Sequence, residues 1–271
     1  MSRISQVIKT RQASGGKIVV PYLVAGDPDL GTSLRLMHAL VAAGSDIIEL
    51  GVPFSDPSSD GEVIQKGAER ALARGTTLLQ VIDLVAQFRT TDPDTPVVLM
   101  GYLNPVEILG YEQFVNSASE AGVDGVLLVD MPPTESPPLA GMLADAGLDL
   151  IFLVAPTTSE TRARLIASQC TGYLYYVSLK GVTGAAISDT DSIARNIGLL
   201  KTFADVPIVI GFGIKDENSA ASLAKLADGV VIGSALVQKI AGLPASDAED
   251  TEIEASVSLI GAIRKRLDQT G

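Results

Sequence analysis

Eight short runs of apolar, largely β-branched residues recur along the chain, and they limit the possible folds more than any other feature. The runs are apolar on both faces, which is typical of parallel strands covered on each side. They occupy residues 17–26, 46–51, 96–102, 124–131, 148–156, 172–179, 207–213 and 228–234. Helical periodicity lies between them. Strands alternating with helices in this way predict an α/β fold of the (βα)8 TIM barrel type.

The length of the chain and the character of its ends agree with this architecture. A chain of 271 residues with 46% hydrophobic content is predicted to form one barrel domain over residues 1–271, since such barrels have about 250 residues. Residues 1–13 predict an additional N-terminal helix, and residues 251–268 predict a closing C-terminal helix with cations in its last turn. A doubly wound open sheet is the alternative, although no GxGxxG motif follows the first run.

Pro21 conflicts with the strand prediction at one position. It lies inside the first apolar run, and proline has no N–H group to donate to a β-ladder. We therefore expect a bulge or irregular pairing at this point.

The composition excludes several classes of function. A formal net charge of −12 without a basic block argues against nucleic acid or an anionic membrane surface as a partner, because both would repel the chain. The longest apolar runs are too short to span a bilayer. One cysteine, Cys170, cannot form an internal disulfide, and the N-terminus lacks a secretory signal, so the expected location is the cytoplasm.

The small number of histidine and cysteine side chains limits both metal binding and the choice of catalytic groups. The chain contains one histidine, His38, and one cysteine, which are too few for a zinc site and leave no base for a Ser-His-Asp or Cys-His system. No metal site is therefore predicted. Any catalysis depends on carboxylates, lysines, tyrosines and backbone groups.

Two carboxylates lie where such a barrel has its active site, at or after the C-terminal end of a strand. Glu49 ends the second run, directly after Ile47 and Ile48, and burial there would raise its pKa toward a value useful for proton transfer. Pairing with a buried cation or capping a turn is the alternative. Asp60 ends the following loop, before Gly61 and a helical stretch, so its alternative role is that of a helix N-cap.

Three glycine turns follow the last three apolar runs. They are KGVTG at 180–184, GFG at 211–213 and GS at 233–234. Glycines let backbone N–H groups approach an oxyanion, and a helix beginning at Ser234 would add its dipole. Ordinary turn formation is the alternative. Turns after strands seven and eight are the usual phosphate site of such barrels, so phosphate binding is favoured.

Aromatic and apolar side chains gather at the same strand ends, where they would line a flat apolar pocket between the acids and the glycine turns. They are Tyr22, Met100, Tyr102, Leu127, Val129, Leu153, Tyr175 and Phe212.

Lys180 follows the sixth run, so a Schiff-base aldolase is also considered. Its polar, glycine-flanked loop does not favour the desolvation that a catalytic lysine needs.

The stretch IELGVPFSDPSSDG, residues 48–61, resembles the tryptophan synthase alpha subunit family, together with PYLVAGDP, GVTG, GFGI and IGSA. These motifs match in order from about residue 17 to residue 240. The resemblance implies a barrel enzyme, a carbon–carbon lyase, that cleaves indole-3-glycerol phosphate into indole and D-glyceraldehyde 3-phosphate in the last steps of L-tryptophan biosynthesis. This retro-aldol reaction needs neither a metal nor an organic cofactor in the chain.

The resemblance also implies roles for single residues. Glu49 resembles the acid/base that transfers protons, and Asp60 resembles the carboxylate that stabilises positive charge at the indole N–H. The pocket residues given above, apart from Met100, fall where the family surrounds indole. Thr183 resembles the tip of a lid loop that closes against Asp56. The implied phosphate site consists of Gly184, Gly213, Gly233 and Ser234.

A partner is implied as well. It is a beta subunit that uses pyridoxal phosphate to join indole to serine, in an expected α2β2 heterotetramer, while this chain itself binds no cofactor. Pro53, Asp56 and Pro132 are the candidate contact residues.

The chain departs from the family pattern in the loop around Asp60. Ser58 and Ser59 stand where apolar or small residues are usual, and Glu62 stands where proline is common. An added charge there would shift the pKa of Asp60 or loosen the loop. Two alternative functions therefore remain: a Schiff-base aldolase using Lys180, and a non-catalytic barrel that activates a partner.

Overall fold

The computed structural model describes residues 2–177, 190–211, 213–245 and 247–269. Within these ranges eight parallel strands close into a barrel in chain order, with β8 paired to β1. The strands are β1 (Ile18–Val24), β2 (Ile48–Gly51), β3 (Val97–Gly101), β4 (Gly125–Leu128), β5 (Asp149–Val154), β6 (Leu174–Val177), β7 (Ile208–Gly211) and β8 (Gly229–Ile232). The predicted (βα)8 barrel is confirmed, whereas the assignment of residues 1–271 to one domain remains a prediction.

Helices cover the outside of the barrel. They are α1 (Arg3–Ala13), α2 (Leu30–Ala42), α3 (Glu62–Ala73), α4 (Leu78–Arg89), α5 (Leu103–Leu109), α6 (Tyr111–Glu120), α7 (Pro137–Asp145), α8 (Glu160–Gln169), α9 (Thr190–Leu200), α10 (Glu217–Ala224), α11 (Ser234–Ile240) and α12 (Asp250–Asp268). The predicted N-terminal and closing C-terminal helices are confirmed as α1 and α12. Ile4 and Ile8 of α1 join the interior cluster of the barrel, and α12 packs against α2, α10 and α11.

Each strand is buried on both faces, as its apolar sequence predicts. In β1, Ile18, Val20 and Tyr22 belong to the cluster inside the barrel, whereas Val19 and Leu23 belong to the cluster beneath the helices. Alternate side chains of a strand project to opposite faces, and both faces here are covered. Because both faces are covered, polar and apolar residues do not alternate along the strand sequences.

One hydrogen-bond pattern occurs four times at the N-terminal end of the barrel. A residue just before each even-numbered strand donates its backbone N–H to the start of the preceding strand, and its side chain accepts the N–H of that same partner. The pairs are Asp46 with Val19, Asp124 with Val97, Thr171 with Leu150 and Asp228 with Ile208, at 2.8–2.9 Å. These side chains satisfy backbone donors that would otherwise be buried without a partner.

Buried ion pairs hold helices against this end of the barrel. The Asp46 carboxylate accepts hydrogen bonds from Arg11 of α1 and Arg264 of α12. Asp124 likewise pairs with one arginine of α1 and one of α4. Arg264 is only 6% exposed and has Asp268 as its other carboxylate partner, so removal of Asp46 would leave a buried charge that is only partly compensated, which is costly in stability.

Pro21 lies within β1 without a bulge, so the expected bulge is wrong, whereas the pairing with β2 is interrupted at this residue. It is aligned with Ile232 of β8 in an unbroken register that starts at Ile18. The ladder to β2 begins at the next residue, Tyr22. The missing N–H therefore falls just before that ladder begins, and this position tolerates a proline.

Candidate active site

Strand β2 directs Glu49 into the barrel. Its neighbours Ile48 and Leu50 belong to the outer cluster and Ile47 to the inner one, so the pleat points the Glu49 side chain inward. The residue is 0% exposed. Within the described residues, Oε1 accepts a hydrogen bond of 2.6 Å from the Tyr173 hydroxyl and Oε2 has no partner.

The surroundings of Glu49 favour the protonated form of its carboxyl group. Burial raises its pKa to about 8, although the hydrogen bond from Tyr173 opposes the shift. In the part of the chain that the structure describes, no lysine or arginine lies beside it to offset this effect. The alternative reading of Glu49 as half of a buried ion pair is therefore excluded for these residues.

Asp60 lies in the loop between β2 and α3, at the mouth of the barrel. Its Oδ2 accepts a hydrogen bond of 3.2 Å from the Tyr102 hydroxyl, which in turn accepts the Ser59 N–H at 3.1 Å. Burial raises the pKa of Asp60 to about 6, and the bond from Tyr102 opposes the shift. The N-cap of α3 is Gly61, so the alternative role of Asp60 as that cap is wrong.

The two carboxyl groups differ in charge at neutral pH. A pKa of about 8 leaves Glu49 largely protonated, whereas a pKa of about 6 leaves Asp60 largely ionised. Environments that separate two carboxyl groups in this way give one the role of acid and the other that of an anion. The pair suits a reaction in which a proton is donated and the resulting cation is stabilised.

The predicted apolar pocket residues line the inner face of the barrel toward its C-terminal end. Those that join the interior cluster are Tyr22, Met100, Leu127, Val129, Leu153 and Tyr175. Tyr102 lies at the rim, where its ring contacts Phe54 with the ring centroids 5.3 Å apart. Phe212 lies outside the described residues.

Two tyrosine rings lie across glycines of the next strand. A Cβ atom added to Gly51 would lie 2.2 Å from the Tyr22 hydroxyl, and one added to Gly211 would lie 2.1 Å from the Tyr175 hydroxyl. Each tyrosine leans along its strand toward the mouth, because each glycine is aligned with the residue two positions after the tyrosine. Because these two glycines have no side chain, the rings of Tyr22 and Tyr175 fit beside the carboxyl groups in the pocket.

The sequence did not lead us to Tyr173, whose hydroxyl donates a hydrogen bond to the Glu49 carboxyl group. A usable signal was present, because residues 173 and 175 are two positions apart and therefore face the same side of a strand. Reasoning also missed the backbone N–H of Ser59, which no side-chain pattern reveals.

Of the three predicted phosphate turns, the structure describes Gly211 and Gly213 of one and both residues of the turn at 233–234. Gly213 has a φ of +49°, and nothing lies within 4 Å of the position of a Cβ atom there. Gly233 is the N-cap of α11, which begins at Ser234 as expected. A Cβ atom on Gly233 would lie 3.9 Å from Tyr22 and Ile64, so this turn borders the pocket. Gly184 lies outside the described residues.

The rim of the mouth carries the residues expected for a lid and for partner contact. Asp56 is exposed, and its carboxylate accepts a hydrogen bond of 2.6 Å from the Ser55 hydroxyl. Pro53 is buried within the chain and Pro132 is half-buried. Thr183 lies outside the described residues, as does Lys180, so lid closure onto Asp56 stays a prediction.

The residues that depart from the family pattern are not among the causes of the raised pKa of Asp60. Glu62 lies in the first turn of α3 and pairs with Lys66 at 2.6 Å. The pKa of Asp60 is set by burial and by the bond from Tyr102. Ser58 and Ser59 are exposed, and the Ser59 N–H orients the Tyr102 hydroxyl.

Two further properties concern only the residues that the structure describes. No group of three or more His, Cys, Asp or Glu side chains among them could hold a metal ion. No helix in the same ranges combines the length and the apolar character needed to cross a membrane.

A closed parallel barrel with a protonated and an ionised carboxyl group at its mouth indicates the class: a (βα)8-barrel enzyme. Comparison with known proteins makes the class specific. The family model described as tryptophan synthase alpha chain matches residues 8–265. The chain belongs to this family, and it is therefore a lyase of tryptophan biosynthesis.

Individual relatives agree with the family model. The tryptophan synthase alpha chain of Marinobacter nauticus is 53% identical over 241 residues, 89% of each chain. That of Laribacter hongkongensis is 52% identical over 270 residues, 99% of this chain and 100% of the relative. The crystal structure of tryptophan synthase subunit alpha from Legionella pneumophila superposes with a TM-score of 0.91 at 40% identity, covering 99% of both chains.

Proposed function

We propose that Glu49 and Asp60 carry out the reaction of this family, the cleavage of indole-3-glycerol phosphate into indole and D-glyceraldehyde 3-phosphate. The observation that carries the proposal is the difference in protonation between two carboxyl groups at one barrel mouth, one neutral and one ionised, since their pKa values of about 8 and about 6 lie on either side of neutrality. Retro-aldol cleavage needs both a proton donor and an anion.

The reaction begins with proton transfer to C3 of the indole ring. Protonated Glu49 donates this proton, and the positive charge that results on the ring nitrogen is stabilised by ionised Asp60. The Glu49 carboxylate then removes the proton of the hydroxyl on the glycerol carbon bonded to the ring. The carbon–carbon bond breaks, its electrons restore the aromatic ring, and the glycerol carbon becomes an aldehyde. Glu49 ends protonated, as it began.

Substrate binding follows from the two other parts of the site. The apolar and aromatic residues between the acids and the glycine turns suit the indole ring. The turns at Gly213 and Gly233, with the start of α11 at Ser234, offer backbone N–H groups to a phosphate dianion. Gly184, Phe212 and Thr183 are proposed to join the phosphate site, the pocket and the lid, and Asp56 to receive the lid.

The proposed partner is a beta subunit, in an α2β2 assembly, that binds pyridoxal phosphate and consumes the indole. The Legionella relative is itself described as a subunit. Ile108 of α5 is 80% exposed, and α5 follows β3 at the barrel mouth. A large apolar side chain so exposed there suits a docking face that also includes Asp56 and Pro132. This chain is proposed to act without a cofactor, in the cytoplasm.

The test is release of indole from indole-3-glycerol phosphate by the purified chain, alone and with a beta subunit. We expect Glu49→Gln to lower kcat by about 10²- to 10⁴-fold while ligand binding persists, because an amide cannot exchange the proton. Glu69→Gln, an exposed position on α3, is the matched control and should keep the wild-type rate.

Other outcomes would point to other functions. An adduct on Lys180 after borohydride trapping would support a Schiff-base aldolase. Stimulation of a beta subunit without any indole release would support a non-catalytic barrel. Loss of the fold in Glu49→Gln would indicate a structural role for this residue.

A further inference from the structure

The ring of Tyr22 spans the two ends of the pocket. Its Cβ and Cδ1 atoms lie 3.9 Å from the position of a Cβ atom on Gly233, in the turn after β8. Its hydroxyl lies against Gly51, two residues after Glu49 in β2. The ring therefore reaches from the proposed phosphate turn to the strand that carries the acid. A substrate whose phosphate and reacting carbon occupy these two ends must lay its glycerol chain along Tyr22.

The Tyr22 hydroxyl differs from the neighbouring phenols. The hydroxyls of Tyr173 and Tyr102 donate to Glu49 and Asp60, whereas that of Tyr22 makes no hydrogen bond within the described residues. Tyr22 as a whole is 6% exposed, and its hydroxyl oxygen is not among the fully enclosed atoms without a partner, so the hydroxyl keeps access to the pocket. This donor is available to a ligand in the pocket.

The charge state of Tyr22 supports this reading. Burial, then the nearby Asp60 carboxylate and then Glu49 hold the pKa of Tyr22 well above its ordinary value. The group is therefore a neutral donor at every pH at which the enzyme works, and it takes no part in proton transfer.

We propose that the Tyr22 hydroxyl binds the middle hydroxyl of the substrate's glycerol chain and thereby selects chains that are hydroxylated at that carbon. The hydroxyl next to the ring must face Glu49 in order to react, and the terminal carbon carries the phosphate. The middle hydroxyl is the group that remains to meet a donor between these ends. This inference rests on the function proposed above and assigns a specificity role within it.

The test compares two ligands that can both be cleaved. One is indole-3-glycerol phosphate, and the other is its analogue with the middle hydroxyl replaced by hydrogen. We expect the wild type to favour the hydroxylated ligand in kcat/KM by about 3- to 10-fold, the usual effect of one neutral hydrogen bond. Tyr22→Phe should lose this preference, mainly through KM, and cleave the two ligands equally well.

Two further variants separate the hydroxyl from the fold. Gly51→Ala keeps the Tyr22 hydroxyl but displaces it, because the new Cβ atom would lie 2.2 Å from it, and should reduce the preference as well. Tyr176→Phe removes a buried hydroxyl that Asn196 contacts outside the barrel wall, and should keep the wild-type preference.

The possible failures can be told apart. If the wild type cleaves both ligands and Tyr22→Phe retains the preference, the inference is wrong and the proposed function stands. If Tyr175→Phe removes the preference while Tyr22→Phe does not, the hydroxyl was assigned to the wrong tyrosine and the inference is again wrong. If the wild type cleaves neither ligand, the proposed function fails and the inference falls with it.

Discussion

At the scale of single residues, the same chemical group takes two charge states because its surroundings differ. Glu49 is enclosed and has one neutral donor, Tyr173, whereas Asp60 lies at the rim beside Tyr102. Desolvation raises both pKa values, to about 8 and about 6. Oε2 of Glu49 has no partner among the residues that the structure describes, and a buried polar atom without a partner is uncommon and calls for an explanation.

The pH dependence of catalysis should reflect both groups. The proposed mechanism uses ionised Asp60 and protonated Glu49, so kcat/KM should fall as the pH drops through about 6. The same ratio should also fall as the pH rises through about 8. A phosphate monoester also titrates near pH 6, so titration of the substrate contributes to the fall in kcat/KM at low pH. Asp60→Asn is the control, and any fall in kcat/KM at low pH that this variant retains is due to the substrate. A profile that stays flat up to pH 10 would contradict the role of Glu49.

Buried Glu49 should make the stability of the protein depend on pH. Its folded pKa of about 8 lies above the ordinary value of 4.5, so its stabilising contribution is complete below about pH 4.5 and is lost as the pH rises toward 8. Each unit of pKa corresponds to about 1.4 kcal/mol. We expect Glu49→Gln to gain a few kcal/mol relative to the wild type between pH 5 and 8, measured by urea unfolding. A pH-independent difference would argue against a protonated, buried Glu49.

At the scale of helices and strands, the eight strands were predictable because double coverage makes each of them apolar throughout. Glu49 and Asp60 were predictable because they stand in a recognisable motif at a strand end. Tyr173 shares a strand face with Tyr175, but its contact with Glu49 was not predictable, because 124 residues of chain separate the two and only barrel closure brings them together. The absence of a bulge at Pro21 was also missed, because it depends on where the ladder to β2 begins.

The side chains that accept backbone N–H groups at the N-terminal end of the barrel should contribute to the stability of the fold and not to catalysis. Asp46→Asn removes a charge that pairs with Arg11 and buried Arg264, and breaking a buried pair costs about 3 to 5 kcal/mol. We expect a fall of that size in the free energy of unfolding, while kcat/KM at 25 °C changes by less than about twofold. A selective loss of activity with unchanged stability would contradict this division between the two ends.

At the scale of the whole molecule, the barrel separates its tasks between its two ends. The N-terminal end holds the caps and ion pairs, and the C-terminal end holds the acids, the glycine turns and the exposed rim. Backbone groups at the glycine turns would let an acidic chain with a net charge of −12 bind a phosphate as proposed. The proposed docking face for a beta subunit lies at the same C-terminal end.

Partner docking at the mouth can be tested on surface leucine and isoleucine residues. Ile108→Glu should weaken binding of a beta subunit at least about tenfold in titration calorimetry, because it places a charge in an apolar contact. Indole release by the chain alone should persist. Leu199→Glu, 41% exposed near the end of α9, is the control. Equal affinity for Ile108→Glu and the wild type would remove Ile108 from the docking face.

The most direct test of the central claim is a titration of the side-chain carboxyl carbons by nuclear magnetic resonance, with ¹³C-labelled glutamate and aspartate and with Glu49→Gln and Asp60→Asn for assignment. The expected result is a Glu49 midpoint near pH 8 and an Asp60 midpoint near pH 6. A Glu49 midpoint close to 4.5, the value of an ordinary glutamate, would mean that this residue is ionised at neutral pH and cannot be the acid.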